Sequence, residues 1–203
     1  LFRSCSTSGL AAPVPIIEHA DVKRMLLAQK SYVEGALALG LYCSRLVDIE
    51  ATSDRAERDQ AHLLLEVLTP IAKAWPSQWC PEANNLAIQV HGGYGYTTEF
   101  DVEQCYRDNR LNPIHEGTNG IQGIDLLGRK VVMDGGAGLT LLYETIVATI
   151  DRAPSDGETA DYAAALRAAL DDLVATTATL CEKTSSSERR ICSCSTFSVR
   201  SRL

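Results

Sequence analysis

Two segments of the sequence combine residue types that can perform chemistry. The first is Gln89-Val90-His91-Gly92-Gly93-Tyr94-Gly95-Tyr96. Its glycines remove side chains, so that backbone amides could approach a phosphate closely. The pattern is also typical of a helix C-cap followed by a tight turn. It differs from the G-x-G-x-x-G nucleotide motif because no predicted strand precedes it. Both interpretations stay open on these residues alone.

The second segment, Ile114-His115-Glu116-Gly117-Thr118-Asn119-Gly120-Ile121-Gln122, places a carboxylate beside a glycine. An acidic residue just before a helix is stabilised by the helix dipole, so Glu116 can be purely structural. Alternatively, the flanking Gly117 and the apolar Pro113 and Ile114 allow the carboxylate to be desolvated. A general base that acts on a weakly acidic carbon requires such surroundings. The segment therefore predicts either a helix-start acid or a catalytic base.

Two long helices should precede and position these segments. Apolar residues at helical spacing predict a first helix with Asp21 as its N-cap, ending near Val47. Asp54, with Glu57 three residues later, resembles a capping box and predicts the start of a second helix.

Prolines predict breaks in this second helix. Pro70 removes one backbone hydrogen bond and predicts a kink, and Pro76 and Pro81 predict further interruption. The helix is expected to resume over 83–90. It should end at Gly92-Gly93, where glycine tolerates the left-handed backbone of a C-cap.

The remaining sequence predicts shorter helices and no strands. A helix over 102–107 is followed by a loop over 109–117, and Thr118 or Asn119 can cap the next helix. Asp134-Gly135-Gly136 ends that helix, and further helices are predicted over about 139–151 and 159–181. The class is therefore all-α, an up-and-down helical bundle with extra C-terminal helices. The predicted regions are a tail or linker at 1–15, a helical domain at 16–133, additional C-terminal helices at 137–183 and a disordered tail at 184–203.

Composition excludes several classes of protein. Hydrophobic residues make up 45% and charged residues 22% of the chain, which is typical of a folded globular protein. The formal net charge of −7 disfavours a nucleic-acid partner. No apolar run approaches the roughly 20 residues of a membrane span, so a soluble protein is expected. The seven cysteines lack metal-site spacing, which predicts free thiols in a reducing compartment and no metal.

Taken together and in this order, the two segments resemble the acyl-CoA dehydrogenase family. Its members carry a Q-x-x-G-G-x-G-[YF] stretch and, farther along, a [YH]-E-G-T turn, which Gln89 to Tyr96 and His115 to Thr118 match. Between them, Tyr106-Arg107-Asp108 resembles the family's R-D element, in which we expect Arg107 and Asp108 to form a structural ion pair. The resemblance extends over 14–132. The segment over 15–27 looks most like the subgroup of 3-methylmercaptopropionyl-CoA dehydrogenases, and the helices after Gly138 resemble that subgroup's extra C-terminal bundle.

The resemblance implies a specific reaction. Glu116 would remove the α-proton of an acyl-CoA thioester while the β-hydrogen leaves as hydride to N5 of FAD, giving a trans-2-enoyl-CoA. The backbone N–H of Glu116 would help hold the thioester carbonyl and stabilise the enolate-like charge. Gly117 would leave room for the substrate.

The resemblance also implies that this chain binds FAD through two sets of residues. The stretch that contacts the ADP part of FAD in a neighbouring subunit corresponds to Gln89, Val90, His91, Gly92 and Gly93. Thr118, Asn119 and Gly120 follow the base and match positions that also touch FAD. Many family members have glutamine where this chain has Gly120, so that contact is either absent or made by Gln122.

A site shared between subunits implies a homodimer or homotetramer. Electrons would pass to an electron-transfer flavoprotein or to oxygen, and the mitochondrial matrix or bacterial cytoplasm is favoured over the peroxisome. Because the family's N-terminal helical and middle β-domains are missing, we expect little or no activity from this chain alone. The alternative function is a non-catalytic helical scaffold, a truncated product that retains only the fold. A third reading, a DNA-binding relative, is weakened by the acidic charge.

Overall fold

The computed structural model describes residues 14–187, and the side chains of residues 14–181. Helix α1 spans Ala20–Thr52 and helix α2 spans Arg55–His91. Asp21 lies inside the first turn of α1, where it pairs with Arg24 at 2.8 Å, so the prediction that it is the N-cap is wrong. The predicted cap of α2 is confirmed, because Asp54 Oδ1 accepts hydrogen bonds from the backbone N–H groups of Ala56 and Glu57 at 2.9 and 3.1 Å.

Helix α2 continues through all three of its prolines, so the predicted interruption of this helix is wrong. Each proline removes one backbone donor, but its restricted φ angle is compatible with a helix. Pro70 is fully buried and Pro81 is buried. The free energy gained by packing these side chains offsets the cost of the lost backbone hydrogen bonds, which was the basis of the sequence prediction.

The shorter elements follow α2. Turns of 3₁₀ or π type occur at Ile16–Glu18, Gly92–Tyr96, Pro113–Gly117, Leu126–Lys130 and Met133–Gly136, and the remaining helices are α3 (Val102–Asn109), α4 (Asn119–Asp125), α5 (Ala137–Ile150) and α6 (Glu158–Ser187). The predicted break at Asp134-Gly135-Gly136 is confirmed, since all three residues have positive φ. Helix α6 extends to Ser187, and the predicted tail positions 1–13 and 188–203 lie outside the described residues.

The described residues form two compact units. The first comprises the chain up to Cys43 together with Ile71–Gln122. Within it α1 and α2 run antiparallel: the Tyr32 and Trp79 rings lie 5.0 Å apart, and Gly35 packs against Trp75. Both segments singled out in the sequence belong to this unit.

The second unit comprises Ser44–Pro70 and the chain from Gly123 onward. Its core includes Val67 and Leu139, and Gly138 packs so tightly on Val67 that a Cβ there would lie 2.7 Å from a Val67 methyl group. The buried Lys130 forms an ion pair with Glu66. Helices α5 and α6 run antiparallel, linked by Tyr143 to Asp171 at 2.9 Å and by Arg167 to Asp151 at 2.8 Å.

The predicted all-α class is confirmed: over 14–187 the chain is helical with no strand. Paired antiparallel helices within each unit agree with the predicted up-and-down arrangement. In the same range no single helix is long and apolar enough to cross a membrane, although the bent pair Val102–Lys130 and Met133–Ile150 meets the length and composition criteria together.

Candidate functional site

The Glu116 segment forms a single π-type turn, Pro113–Gly117, rather than the predicted open loop. The turn is closed by a hydrogen bond from the Thr118 N–H to the Pro113 carbonyl at 2.9 Å. Isolated π turns are rare and occur frequently at functional sites, because they re-aim the side chains that follow them. Glu116 lies inside this turn.

The Glu116 carboxylate makes two electrostatic contacts within its unit. Its Oε2 lies 3.2 Å from Lys73 Nζ on α2, and its Oε1 lies 3.6 Å from His115 Nδ1. The side chain remains 60% exposed. The described part of this unit therefore presents the carboxylate to solvent, and any desolvation of it must come from groups that approach from outside the unit.

The residues after Glu116 are closely constrained. Gly117 is buried against Ser77 of α2, and Asn119 Nδ2 donates to Gln78 Oε1 at 2.7 Å. Between them Thr118 adopts φ +29° and ψ +57°, a left-handed conformation that costs free energy for a residue with a β-branched side chain. Such strain persists only where neighbouring contacts enforce it, and it clusters at functional sites.

Gly120 and Gln122 differ from this constrained group. Among the described residues, and apart from its own helix backbone and chain neighbours, nothing lies within 4 Å of the place that a Cβ of Gly120 would occupy. Gln122 Nε2 donates to the carbonyl of Glu116 at 3.4 Å. The Gln122 amide thus lies beside the backbone of the predicted base.

The glycine-rich segment is the end of α2 and a 3₁₀ turn, Gly92–Tyr96. Gln89 and Val90 belong to the last turn of the helix, and His91 ends it with its Nδ1 at 2.8 Å from the Ala87 carbonyl. Gly92 has φ +65°, so the predicted left-handed C-cap is confirmed. This confirmation supports the structural interpretation of the glycines without removing the phosphate-binding one.

The glycines of this segment have different surroundings. A Cβ at Gly95 would lie 2.7 Å from the Ile88 carbonyl oxygen, so glycine is required there by packing. At Gly92 and Gly93 no atom of the described residues, other than those of the adjoining chain, lies within 4 Å of the Cβ position. The backbone at Gly92-Gly93 is therefore open to a ligand.

An aromatic cluster covers one side of this turn. The rings of His91 and Tyr94 lie 5.8 and 6.0 Å from that of Phe100. In α3, Arg107 pairs with Glu103 at 3.4 Å, and Asp108 accepts from Gln104 at 2.7 Å. The expected ion pair between Arg107 and Asp108 is therefore wrong, because residues four apart face each other on a helix and adjacent residues do not.

Three residues at the predicted site were not anticipated from the sequence: Lys73, Ser77 and Gln78. They lie within six residues of α2, about forty positions before the residues they contact. Lys73 and Ser77 are four positions apart and share a helix face, which is their one sequence signal, and Gln78 has no such signal. In the described residues no group of three or more His, Cys, Asp or Glu side chains is placed to hold a metal ion.

Comparison with known proteins identifies the family. Residues 10–131 match the model described as "Acyl-CoA dehydrogenase, C-terminal domain". The 3-methylmercaptopropionyl-CoA dehydrogenase of Ruegeria pomeroyi is 39% identical over 171 residues, which cover 80% of this chain and 29% of the relative. The broad-specificity linear acyl-CoA dehydrogenase FadE5 of Mycobacterium tuberculosis is 32% identical over 82% of this chain and 28% of its own length.

A butyryl-CoA dehydrogenase of Syntrophomonas wolfei is 42% identical over 64% of this chain and 22% of its own length. The chain thus spans less than a third of the length of each of these relatives. The family match covers more than half of the chain and includes both the glycine-rich turn and the Glu116 turn. The chain belongs to the acyl-CoA dehydrogenase family and contains its C-terminal domain.

Proposed function

We propose that this chain is the C-terminal helical part of a FAD-dependent acyl-CoA dehydrogenase in which Glu116 is the catalytic base. The observation that carries the proposal is the combination of a constrained backbone and an accessible carboxylate at Glu116. A π turn and a left-handed Thr118 hold the main chain, while the carboxylate stays 60% exposed. A base that must meet a separate substrate needs both properties, because reactivity depends on a fixed orientation and on access.

Glu116 takes the α-proton of the acyl-CoA thioester onto its carboxylate. Removal of that proton leaves enolate-like charge on the thioester oxygen, which the backbone N–H of Glu116 stabilises by donating a hydrogen bond. Closure of the site by the substrate and by the rest of the protein excludes water from the carboxylate, which strengthens both interactions.

FAD, when bound, supplies the acceptor for the β-hydrogen. The residues proposed to hold it are Gln89, Val90, His91, Gly92 and Gly93 at one site, and Thr118, Asn119 and Gly120 at the other. The open backbone at Gly92-Gly93 fits the diphosphate of such a cofactor, because in the described part of the chain only the adjoining residues lie near the Cβ positions of these glycines. Gly120 is open in the same way, and Gln122 is near enough to the turn to replace the glutamine found there in many family members.

The remaining parts of the proposal concern the whole protein. We assign residues 16–133 to the family domain and residues 137–183 to an additional C-terminal helical region. Alignments to two relatives cover 80% and 82% of the chain, beyond the 10–131 family match, which supports this division. The rest of the enzyme would hold most of the flavin and the acyl chain. It would form a homodimer or homotetramer that passes electrons to an electron-transfer flavoprotein.

The test uses the full-length flavoprotein that contains this segment. Acyl-CoA thioesters of different chain lengths are mixed with the oxidised enzyme, and bleaching of the flavin absorbance is followed by stopped flow. We expect the Glu116→Gln protein to bind flavin and thioester but to bleach about 1000-fold more slowly, because general-base contributions are of this order. The chain length that bleaches fastest would define the substrate class.

Glu144→Gln, an exposed glutamate of α5, is the matched control and should bleach at the parent rate. A parent protein that holds flavin without bleaching by any thioester would overturn the dehydrogenase proposal and favour the helical scaffold. Equal bleaching in the parent and Glu116→Gln proteins would instead remove Glu116 from the role of base.

A further inference from the structure

Three side chains of α2 contact Glu116 and the residues that follow it. Lys73 Nζ lies 3.2 Å from Glu116 Oε2, Ser77 packs on Gly117, and Gln78 Oε1 accepts from Asn119 at 2.7 Å. Lys73 and Ser77 share one face of the helix because they are four positions apart, and Gln78 lies about 100° farther around, on the flank of that face. Three side chains from little more than one helical turn therefore reach three of the four residues over 116–119.

The contact at Ser77 is the tightest of the three. A Cβ on Gly117 would overlap Ser77 Oγ and lie 2.8 Å from Ser77 Cβ. Ser77 is itself only 7% exposed, and its hydroxyl donates to the Ala74 carbonyl at 2.9 Å. Because Ser77 is packed and hydrogen-bonded, it cannot move aside for a larger residue. Glycine at 117 is thus required by the helix contact, whether or not a substrate is present.

Thr118 lies between two of these contacts. Gly117 is held by Ser77 on one side, and Asn119 is held by Gln78 on the other. The left-handed φ of +29° at Thr118 is the conformation that joins them. A strained residue is retained only where its neighbours are fixed, so the strain is a sign that the two contacts determine the course of the backbone.

We propose that Lys73, Ser77 and Gln78 are positioning residues for the catalytic base. The inference rests on the proposed role of Glu116. Ser77 and Gln78 fix the backbone that carries Glu116, and Lys73 holds one carboxylate oxygen toward α2. Consequently Gly117 serves first to let the turn approach α2, in contrast to the expectation that it makes room for the substrate.

The first test is a double-mutant cycle at Ser77 and Gly117 in the full-length flavoprotein. Gly117→Ala should slow flavin bleaching by about 10- to 100-fold, because small displacements of a catalytic group have effects of this size. In the Ser77→Gly background the two closest atoms, Ser77 Oγ and Cβ, are gone and the Asn112 carbonyl oxygen at 3.2 Å is the remaining near contact, so the same Gly117→Ala change should cost much less. An undiminished cost in that background would mean that the substrate requires Gly117, and would overturn the assignment of Ser77.

The second test concerns Lys73. Lys73→Met should lower the bleaching rate at saturating thioester and leave the thioester concentration for half-saturation unchanged, because Lys73 orients the base and does not bind substrate. Lys73→Arg should restore most of the rate, since it keeps the charge near Glu116. Two results would contradict a positioning role. One is a Lys73→Met effect confined to the thioester concentration for half-saturation, and the other is a bleaching rate that Lys73→Arg does not restore.

A measurement on the 203-residue chain separates failure of this inference from failure of the proposed function. The Thr118 amide, bonded to the Pro113 carbonyl, should exchange with deuterium faster in Gly117→Ala and recover in the Gly117→Ala/Ser77→Gly double variant. The Val131 amide, bonded to the Leu126 carbonyl in the other π turn, is the internal control and should not change. Absence of recovery at Thr118 overturns the positioning proposal even if no thioester bleaches the flavin, and recovery supports the contact independently of activity.

Discussion

The two glycine-containing turns of the first unit depend on their glycines for different reasons. At the Glu116 turn, Gly117 is buried against Ser77 and allows the chain to approach α2. At the end of α2, Gly92 has a positive φ, and across the described residues no atom outside the adjoining chain lies within 4 Å of a Cβ placed at Gly92 or Gly93. A glycine that packs against the protein is explained by the fold. A glycine beside empty space is the better candidate for contact with a ligand.

The largest change in stability is expected from substituting the packed glycine of the Gly92–Tyr96 turn, and a much smaller one from substituting an open glycine of the same turn. Gly95→Ala should lower the free energy of unfolding by about 3 kcal/mol, because its Cβ would lie 2.7 Å from the Ile88 carbonyl and overpacking carries costs of this order. Gly93→Ala, two residues earlier, should leave stability nearly unchanged. Urea unfolding of the two variants, followed by circular dichroism, measures the difference, and equal losses would erase the distinction drawn between these glycines.

A smaller effect is expected at Gly92, where the backbone rather than the packing requires glycine. Gly92→Ala should cost about 1 kcal/mol, because left-handed φ angles are unfavourable for residues with a Cβ. Gly92→Asn should cost less, since asparagine tolerates this conformation. The same unfolding experiment applies, and a larger loss with asparagine than with alanine would show that space, and not φ, is limiting.

At the Glu116 turn, the side-chain hydrogen bond between Asn119 and Gln78 should contribute about 0.5 kcal/mol, because it is exposed to water. Asn119→Ala and Gln78→Ala should each lose this amount, and the double variant should lose little more than either. Thermal unfolding of the three variants gives the coupling free energy. Fully additive losses would show that the bond does not hold this turn.

The smallest expected effect is the pH dependence of stability that arises from the Cys80 thiol of α2. Burial raises the pKa of the Cys80 thiol, so its thiolate forms only at higher pH than in an unfolded chain. The buried thiol therefore does not lower the free energy of unfolding while the pH is below the pKa of this thiol in the unfolded chain. The free energy of unfolding falls as the pH rises above that pKa. Iodoacetamide labelling at mildly alkaline pH, read by peptide mass spectrometry, should modify Cys80 more slowly in the folded chain than in urea. The exposed Cys105 of α3 is the control, and faster labelling of Cys80 than of Cys105 would contradict a packed α2.

Local signals in the sequence predicted most of the helices and the glycine turn after α2, whereas the segment over 109–117 was predicted as a loop and contains a π turn. Helical periodicity, the Asp54 cap, the Gly92 C-cap and the Asp134-Gly135-Gly136 break depend on residues within a few positions of one another, so they can be recognised from the sequence. The linked motifs around Gly92-Gly93 and Glu116 likewise predicted the family that the comparison identified. These features were determined by the sequence alone.

Features that depend on contacts between distant parts of the chain were decided only by the tertiary structure. The sequence predicted breaks at Pro70, Pro76 and Pro81, but packing around the buried prolines keeps α2 continuous. The contacts of Lys73, Ser77 and Gln78 with the Glu116 turn join residues about forty positions apart, and no local pattern encodes them. The physical reason is that a helix propensity or a cap is a property of neighbours in the chain, whereas the fit of a glycine against a serine exists only once two distant segments are packed together.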